Sequence, residues 1–161
     1  MNHIDLVRMR EALTIAQNSS VRVSPNPKVG CVIYNTLGEK IGQGVTSPPG
    51  GFHAEQNALS QARELGHSLD GSTAYVTLEP CAHTGRTGPC VEALIKAKVS
   101  RVCLGVRDPN PLVGGRGVQR LTQAGIQVEE GVLKEECNTH HAPFFKWITK
   151  GIPWVSLKGA M

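Results

Sequence analysis

Three short apolar runs, STAYVTLE (residues 72–79), RVCLGV (101–106) and IQVEE (126–130), alternate with segments of helical character. This alternation limits the possible folds more than any other feature. Short runs of this kind bounded by turn residues predict strands. Pro89 suits the first turn of a helix running to Ala97, and a second helix is predicted from about Val118 to Ala124. A helix that carries the chain from one strand to its sheet neighbour makes the two strands parallel. RVCLGV and IQVEE should therefore pair in parallel.

The preceding half reads differently. VGCVIYN (29–35) and KIGQGVT (40–46) predict two strands joined by a short hairpin connection at TLGEK. A helix is predicted from Ile4 to about Ala16, with Ile4, Val7, Leu13 and Ala16 as its apolar face. Another runs from His53 to Leu65 and ends near Gly66, and a longer one from Leu133 to about Thr149. The result is an α/β layered domain. At 161 residues and 40% hydrophobic, the chain has the size and apolar content for one core. Aromatics are 4%, so that core should be aliphatic.

The composition also excludes. With 17 basic and 13 acidic residues the net charge is +4, and no dense Lys/Arg run marks a nucleic-acid surface. Five cysteines at irregular spacing do not make a secreted disulfide framework. The start, MNHIDLVRMREAL, lacks the apolar centre of a signal peptide, and no window reads as a transmembrane span. A soluble, reduced, cytoplasmic protein is expected, with no nucleic-acid or membrane partner.

His53, Cys81 and Cys90 stand out as a set. One imidazole and two thiolates match the donor preference of Zn2+, and three protein ligands leave the fourth tetrahedral position open, as a catalytic site requires. His53 and Cys90 each fall at the start of a predicted helix, where the partial positive charge of the helix end favours thiolate. Glu55, two residues beyond His53, is placed to face the open position without ligating. A carboxylate there can take a proton from water and pass it to a leaving amine. An H-x-E element followed by P-C and a second cysteine is the pattern of zinc nucleobase deaminases.

The chain resembles the zinc-dependent cytidine deaminase superfamily through HAE and EPC…C. Within it, SPNPKVGCVI, AYVTLEPCAHTGRTGPC and RDPNPLVGGRG resemble the deaminase domain of the RibD family of riboflavin-biosynthesis proteins. Simpler members of the superfamily have two residues between the cysteines; this chain has eight, AHTGRTGP, as that family does. The resemblance implies a three-layer α/β/α cytidine deaminase-like fold with a mixed five-stranded sheet and helices on both faces. It implies hydrolysis of the 2-amino group of 2,5-diamino-6-ribosylamino-4(3H)-pyrimidinone 5′-phosphate, giving the 5-amino-uracil product and ammonia. The phosphorylated aminopyrimidine would be held by Asn26, Arg86, Asp108 and Asn110.

Residues 1–150 are expected to form the deaminase domain. Residues 151–161 resemble the first strand of a reductase domain, so deaminase activity without reductase activity is expected. IPWVSL could instead add to a sheet edge or stay disordered. A reductase, fused or separate, and a second copy of the chain are the protein partners the resemblance leaves open. Many members carry a histidine where this chain has Thr46, so that contact is lost or replaced. Two other functional classes fit the motif more loosely: a deaminase of cytidine, guanine or tRNA adenosine, and a non-catalytic zinc-stabilised module.

Several tempting residues have plainer explanations. His83 is expected to line the pocket or order its loop rather than ligate. Cys31, Cys103 and Cys137 sit in apolar patterns and read as core. His140 and His141 are adjacent on a helix and face different directions, which argues against a metal pair. Glu79, before Pro80, reads as a carboxylate that supports a metal ligand or orders backbone rather than as a catalytic group. GGRG (114–117) lacks the strand–loop–helix context of a phosphate cradle and reads as a turn into a helix. Lys28, Lys96, Lys98 and Lys134 read as solvated charges.

Overall fold

The computed structural model describes residues 2–84, 88–110 and 114–155. The elements run α1 (His3–Asn18), β1 (Gly30–Tyr34), β2 (Lys40–Val45), α2 (Ala54–Glu64), β3 (Thr73–Leu78), α3 (Cys90–Lys96), β4 (Arg101–Val106), α4 (Arg116–Gln123), β5 (Gln127–Glu130) and α5 (Lys134–Lys150). Residues 152–155 lie outside any helix or strand. No helix of the described residues is long and apolar enough to cross a membrane.

The five strands form one mixed sheet in the order β2-β1-β3-β4-β5. β1 is antiparallel to β2 and to β3, whereas β3, β4 and β5 are parallel. The two crossovers, through α3 and α4, lie on the same face, and α2 joins them there. The other face carries α1 and α5. Side chains alternate accordingly: Tyr75 and Thr77 of β3 bond to Asp5 and His141 on the α1/α5 face. Ala74, Val76 and Leu78 point the other way, into the core under α2 and α3.

Close approach fixes both layers. A Cβ on Gly30 would lie 2.0 Å from the Ala12 carbonyl oxygen of α1, and one on Gly44 would lie 2.3 Å from the Ala54 carbonyl oxygen of α2. Only glycine lets the helices rest directly on these strands. For α2 this contact matters functionally, because its first residue follows His53.

The apolar face of α1 differs from the sequence expectation. Asp5, Met9, Ala12, Leu13 and Ala16 are buried, whereas Ile4 and Val7 are each 54% exposed. The helix is rotated toward Asp5 because that carboxylate has partners inside. Its Oδ1 accepts from Arg101 Nη1 at 2.7 Å and from the Tyr75 hydroxyl at 3.0 Å, and Oδ2 accepts from Arg101 Nη2 at 3.0 Å. The backbone N–H of Asp5 donates to the Asn2 side chain at 2.9 Å, completing a capping box. One carboxylate thus ties the start of α1 to β3 and β4.

The Arg101 bond, chiefly, holds the Asp5 carboxyl at about 2, below its ordinary 3.8. Because the folded-state value is the lower one, this contribution is fully present above about pH 4 and disappears as the pH falls toward 2. Asp5→Asn should lower the unfolding free energy by about 2 kcal/mol at pH 7. In urea melts repeated at descending pH, the gap between the two proteins should close over that acid window.

Candidate active site

The parallel strands β3 and β4 end at the same edge of the sheet, and the loops that follow them build the site. β3 leads through Glu79 and Pro80 to Cys81, Cys90 opens α3, and β4 leads to Asp108 and Asn110. From the face of the sheet that carries α2, the segment before that helix delivers His53, its N-cap residue.

His53 Nδ1 lies 3.5 Å from Cys81 Sγ and 3.3 Å from Cys90 Sγ, and the backbone N–H of Cys90 donates to Cys81 Sγ at 3.3 Å. All three donor atoms lie within 4.8 Å of one another. A tetrahedral ion with metal–sulfur bonds of about 2.3 Å and metal–nitrogen bonds of about 2.0 Å sets neighbouring N and S atoms about 3.5 Å apart. The donor set therefore fits zinc in both chemistry and spacing. Among the described residues no fourth His, Cys, Asp or Glu joins this group, which leaves one corner open and argues against a closed structural site.

The Cys90 side chain, followed by His53, lowers the pKa of the Cys81 thiol, while the Cys81 contact raises that of His53. A divalent cation held there by two thiolates and a neutral imidazole would be bound with release of protons.

Glu55, in the first turn of α2, is only 3% exposed. Burial, reinforced by the charge of Cys81, pushes its carboxyl up to about 7. It faces a cavity of about 290 Å³ that it shares with His53 and Cys81. The same cavity takes in Asn26, Asp108 and Asn110, so the structure brings these sequence-identified residues together. Arg86 lies outside the described residues. Asp108 Oδ1 accepts from the Asn110 N–H at 2.9 Å, and burial raises the Asp108 carboxyl above its ordinary value.

Glu79 holds this loop in place. Its Oε2 accepts from the N–H groups of Asp108 (3.2 Å) and Gly115 (2.9 Å), and its Oε1 from that of Val118 (3.2 Å). It is a backbone organiser at the N-terminal end of α4, as the sequence suggested. His83 lines the cavity without entering the donor group. Cys31, Cys103 and Cys137 are buried in the core. Lys28 departs from a solvated charge: its Nζ donates to the Ser19 carbonyl at 2.8 Å.

The sequence did not identify the apolar wall. Phe144 and Ile148, one helical turn apart on α5, line the cavity with Val29 and Leu78. Their i, i+4 spacing was visible, but not which way α5 turns that face. Thr46 also lines the cavity, and its Oγ1 accepts from the Val29 N–H at 3.0 Å.

Comparison with known proteins agrees with this geometry. Residues 3–106 match the cytidine and deoxycytidylate deaminase zinc-binding region. The riboflavin biosynthesis protein RibD of Actinobacillus pleuropneumoniae is 48% identical over 157 residues, which cover 98% of this chain and 41% of that protein. The chain thus spans less than half the length of this relative. The solved Acinetobacter baumannii RibD (form 1) superposes with a TM-score of 0.86 at 46% identity, covering 94% of this chain and 41% of that one. The Thermotoga maritima diaminohydroxyphosphoribosylaminopyrimidine deaminase/5-amino-6-(5-phosphoribosylamino)uracil reductase gives 0.88 at 41% identity, covering 94% and 43%.

Cys81→Ala and Cys90→Ala should each reduce bound zinc from about one per chain to a small fraction by elemental analysis and lower the melting temperature, because metal binding and local folding are linked. Unchanged metal content in both would rule out the donor set.

Proposed function

The chain belongs to the cytidine and deoxycytidylate deaminase zinc-binding family, and we propose that it hydrolyses the 2-amino group of 2,5-diamino-6-ribosylamino-4(3H)-pyrimidinone 5′-phosphate, releasing ammonia and 5-amino-6-ribosylaminouracil 5′-phosphate. The observation that carries this reading is the buried Glu55 carboxyl facing the cavity that His53 and Cys81, two of a three-donor zinc set, also line. The choice of substrate rests on the Thermotoga maritima relative, whose name gives that deamination, and on the eight-residue segment between Cys81 and Cys90.

His53, Cys81 and Cys90 would hold the ion. When bound, zinc supplies Lewis acidity, the means of making water nucleophilic at neutral pH. Glu55 is the proton carrier. Burial places its carboxyl at about 7, so it can accept a proton from water and deliver it to the departing amine near neutral pH. Asp108 and Asn110, fixed at the end of β4 through Glu79, offer polar groups to the heterocycle and ribose. Asn26 approaches from the segment before β1, and Arg86 is assigned to the phosphate, where a guanidinium fork suits two oxygens. Phe144 and Ile148 offer the ring apolar contacts.

Residues 1–150 form the deaminase unit in this reading. Residues 151–161 resemble the first strand of a reductase domain, and a reductase, fused or separate, would act on the product. Five free thiols are in keeping with a reducing cytoplasm.

Glu55→Gln should retain zinc and reduce kcat for ammonia release by at least about 100-fold, the scale of a lost general acid–base. Near-full activity of that variant would exclude the proton-carrier role. Chelation should abolish turnover of the ribotide, and added zinc should restore it. Cytidine, assayed in parallel, should release no ammonia; preferential turnover of cytidine would overturn the substrate assignment.

A further inference from the structure

The backbone between Asn26 and the start of β1 is held largely by side chains. The Lys28 carbonyl accepts from His140 Nε2 at 2.7 Å. The Val29 N–H donates to Thr46 Oγ1 at 3.0 Å, and the Val29 carbonyl accepts from the Thr46 N–H at 3.1 Å. The Gly30 N–H donates to Thr77 Oγ1 at 3.1 Å, and that hydroxyl is bonded to His141 Nε2, also at 3.1 Å. Here α5 contributes two adjacent imidazoles, packed edge to face with centroids 4.6 Å apart, each turned to a different partner. His141 is buried and its pKa is pushed down to about 3, chiefly by burial, so it is a neutral imidazole.

The two histidines differ in what they secure. His141 works through Thr77 on the first residue of β1, a strand already paired on both sides. His140 works on Lys28, before the strand begins. Its Nε2 faces a carbonyl and therefore carries the proton at that contact. Lys28 is also tied by its Nζ to the Ser19 carbonyl. Two residues earlier lies Asn26, which lines the cavity holding Glu55 and whose N–H donates to the Val23 carbonyl at 2.9 Å. His140 does not line that cavity. It lines a second cavity, of about 620 Å³, that shares Asn26, Pro27 and Phe144 with the first, and its hydrogen bond toward the Asn26 segment is to the Lys28 carbonyl.

We propose that His140 is a positioning residue for substrate binding: by donating to the Lys28 carbonyl it fixes the path of the chain that presents Asn26 to the cavity. This rests on the deaminase reading above. It concerns binding rather than the proton transfers, so it separates KM from kcat.

The test uses the zinc-loaded full chain. His140→Ala should raise KM for the diaminopyrimidine ribotide about tenfold, the scale of one lost hydrogen bond. It should leave kcat within about twofold and zinc at one per chain. His140→Gln, whose amide can donate to the same carbonyl, should restore KM. Adding His140→Ala to Asn26→Ala should raise KM no further than Asn26→Ala alone, since the first acts through the second. Hydrogen–deuterium exchange across residues 24–30 should quicken in His140→Ala and return to normal in His140→Gln. Unchanged exchange in the alanine variant, failure of glutamine to restore, or additive effects with Asn26→Ala would each overturn the proposal. An unaltered protein that released no ammonia from the ribotide would overturn the deaminase reading instead, and the exchange measurement would still decide the role of His140.

Discussion

Two helices begin at one point in space, and the chemistry follows from that. His53 is the residue before α2 and Cys90 is the first residue of α3, and both helices lie on the same face of the sheet. Between them in the chain, β3 ends and delivers Cys81. The positive ends of two helix dipoles favour thiolates and a carboxylate over their protonated forms. Burial pushes the other way, and at Glu55 burial wins, leaving a carboxyl that titrates at about 7. The convergence is possible because α2 rests directly on β2, where Gly44 leaves no side chain in the way.

The sheet also divides the labour between its faces. The donor set and Glu55 come from the side of α2 and α3. Phe144 and Ile148 of the cavity wall, and the imidazoles bonded to Lys28 and Thr77, come from α5, on the other side. The cavity sits where the strand ends let the two sides meet. A planar ring entering there would have the reacting groups on one side and Phe144 and Ile148 among its apolar contacts. This placement follows the general rule that parallel α/β sheets bind ligands beyond the carboxyl ends of their strands.

Much of this was legible in the sequence. Strand and helix positions were set by period and by turn residues, and His, Cys and Cys are distinctive enough as a zinc set to be recognised across nearly forty positions of chain. What escaped was orientation. The apolar spacing of α1 favoured a face containing Ile4 and Val7, but an ion pair with Arg101, 96 residues away, turned Asp5 inward. The cavity wall on α5 escaped for the same reason: nothing local says which side of that helix meets the sheet. Lys28 looked like a solvated charge because its partner, the carbonyl of Ser19, is a backbone group that no residue pattern reveals. Glu79 was legible in part: its place before Pro80 suggested a supporting carboxylate, but the amides it accepts from, Asp108 and Val118 among them, lie 29 and 39 residues further on.

That last carboxylate makes two regions inseparable. Glu79 stands two residues before Cys81 yet accepts from Asp108, Gly115 and Val118. The loop that carries Asp108 and Asn110 is therefore braced by the segment that carries Cys81. Anyone grafting a different loop after β4 would have to transplant amide groups that satisfy the same two oxygens. A graft that failed to do so would leave the Glu79 carboxyl without its backbone partners and would unseat the first turn of α4.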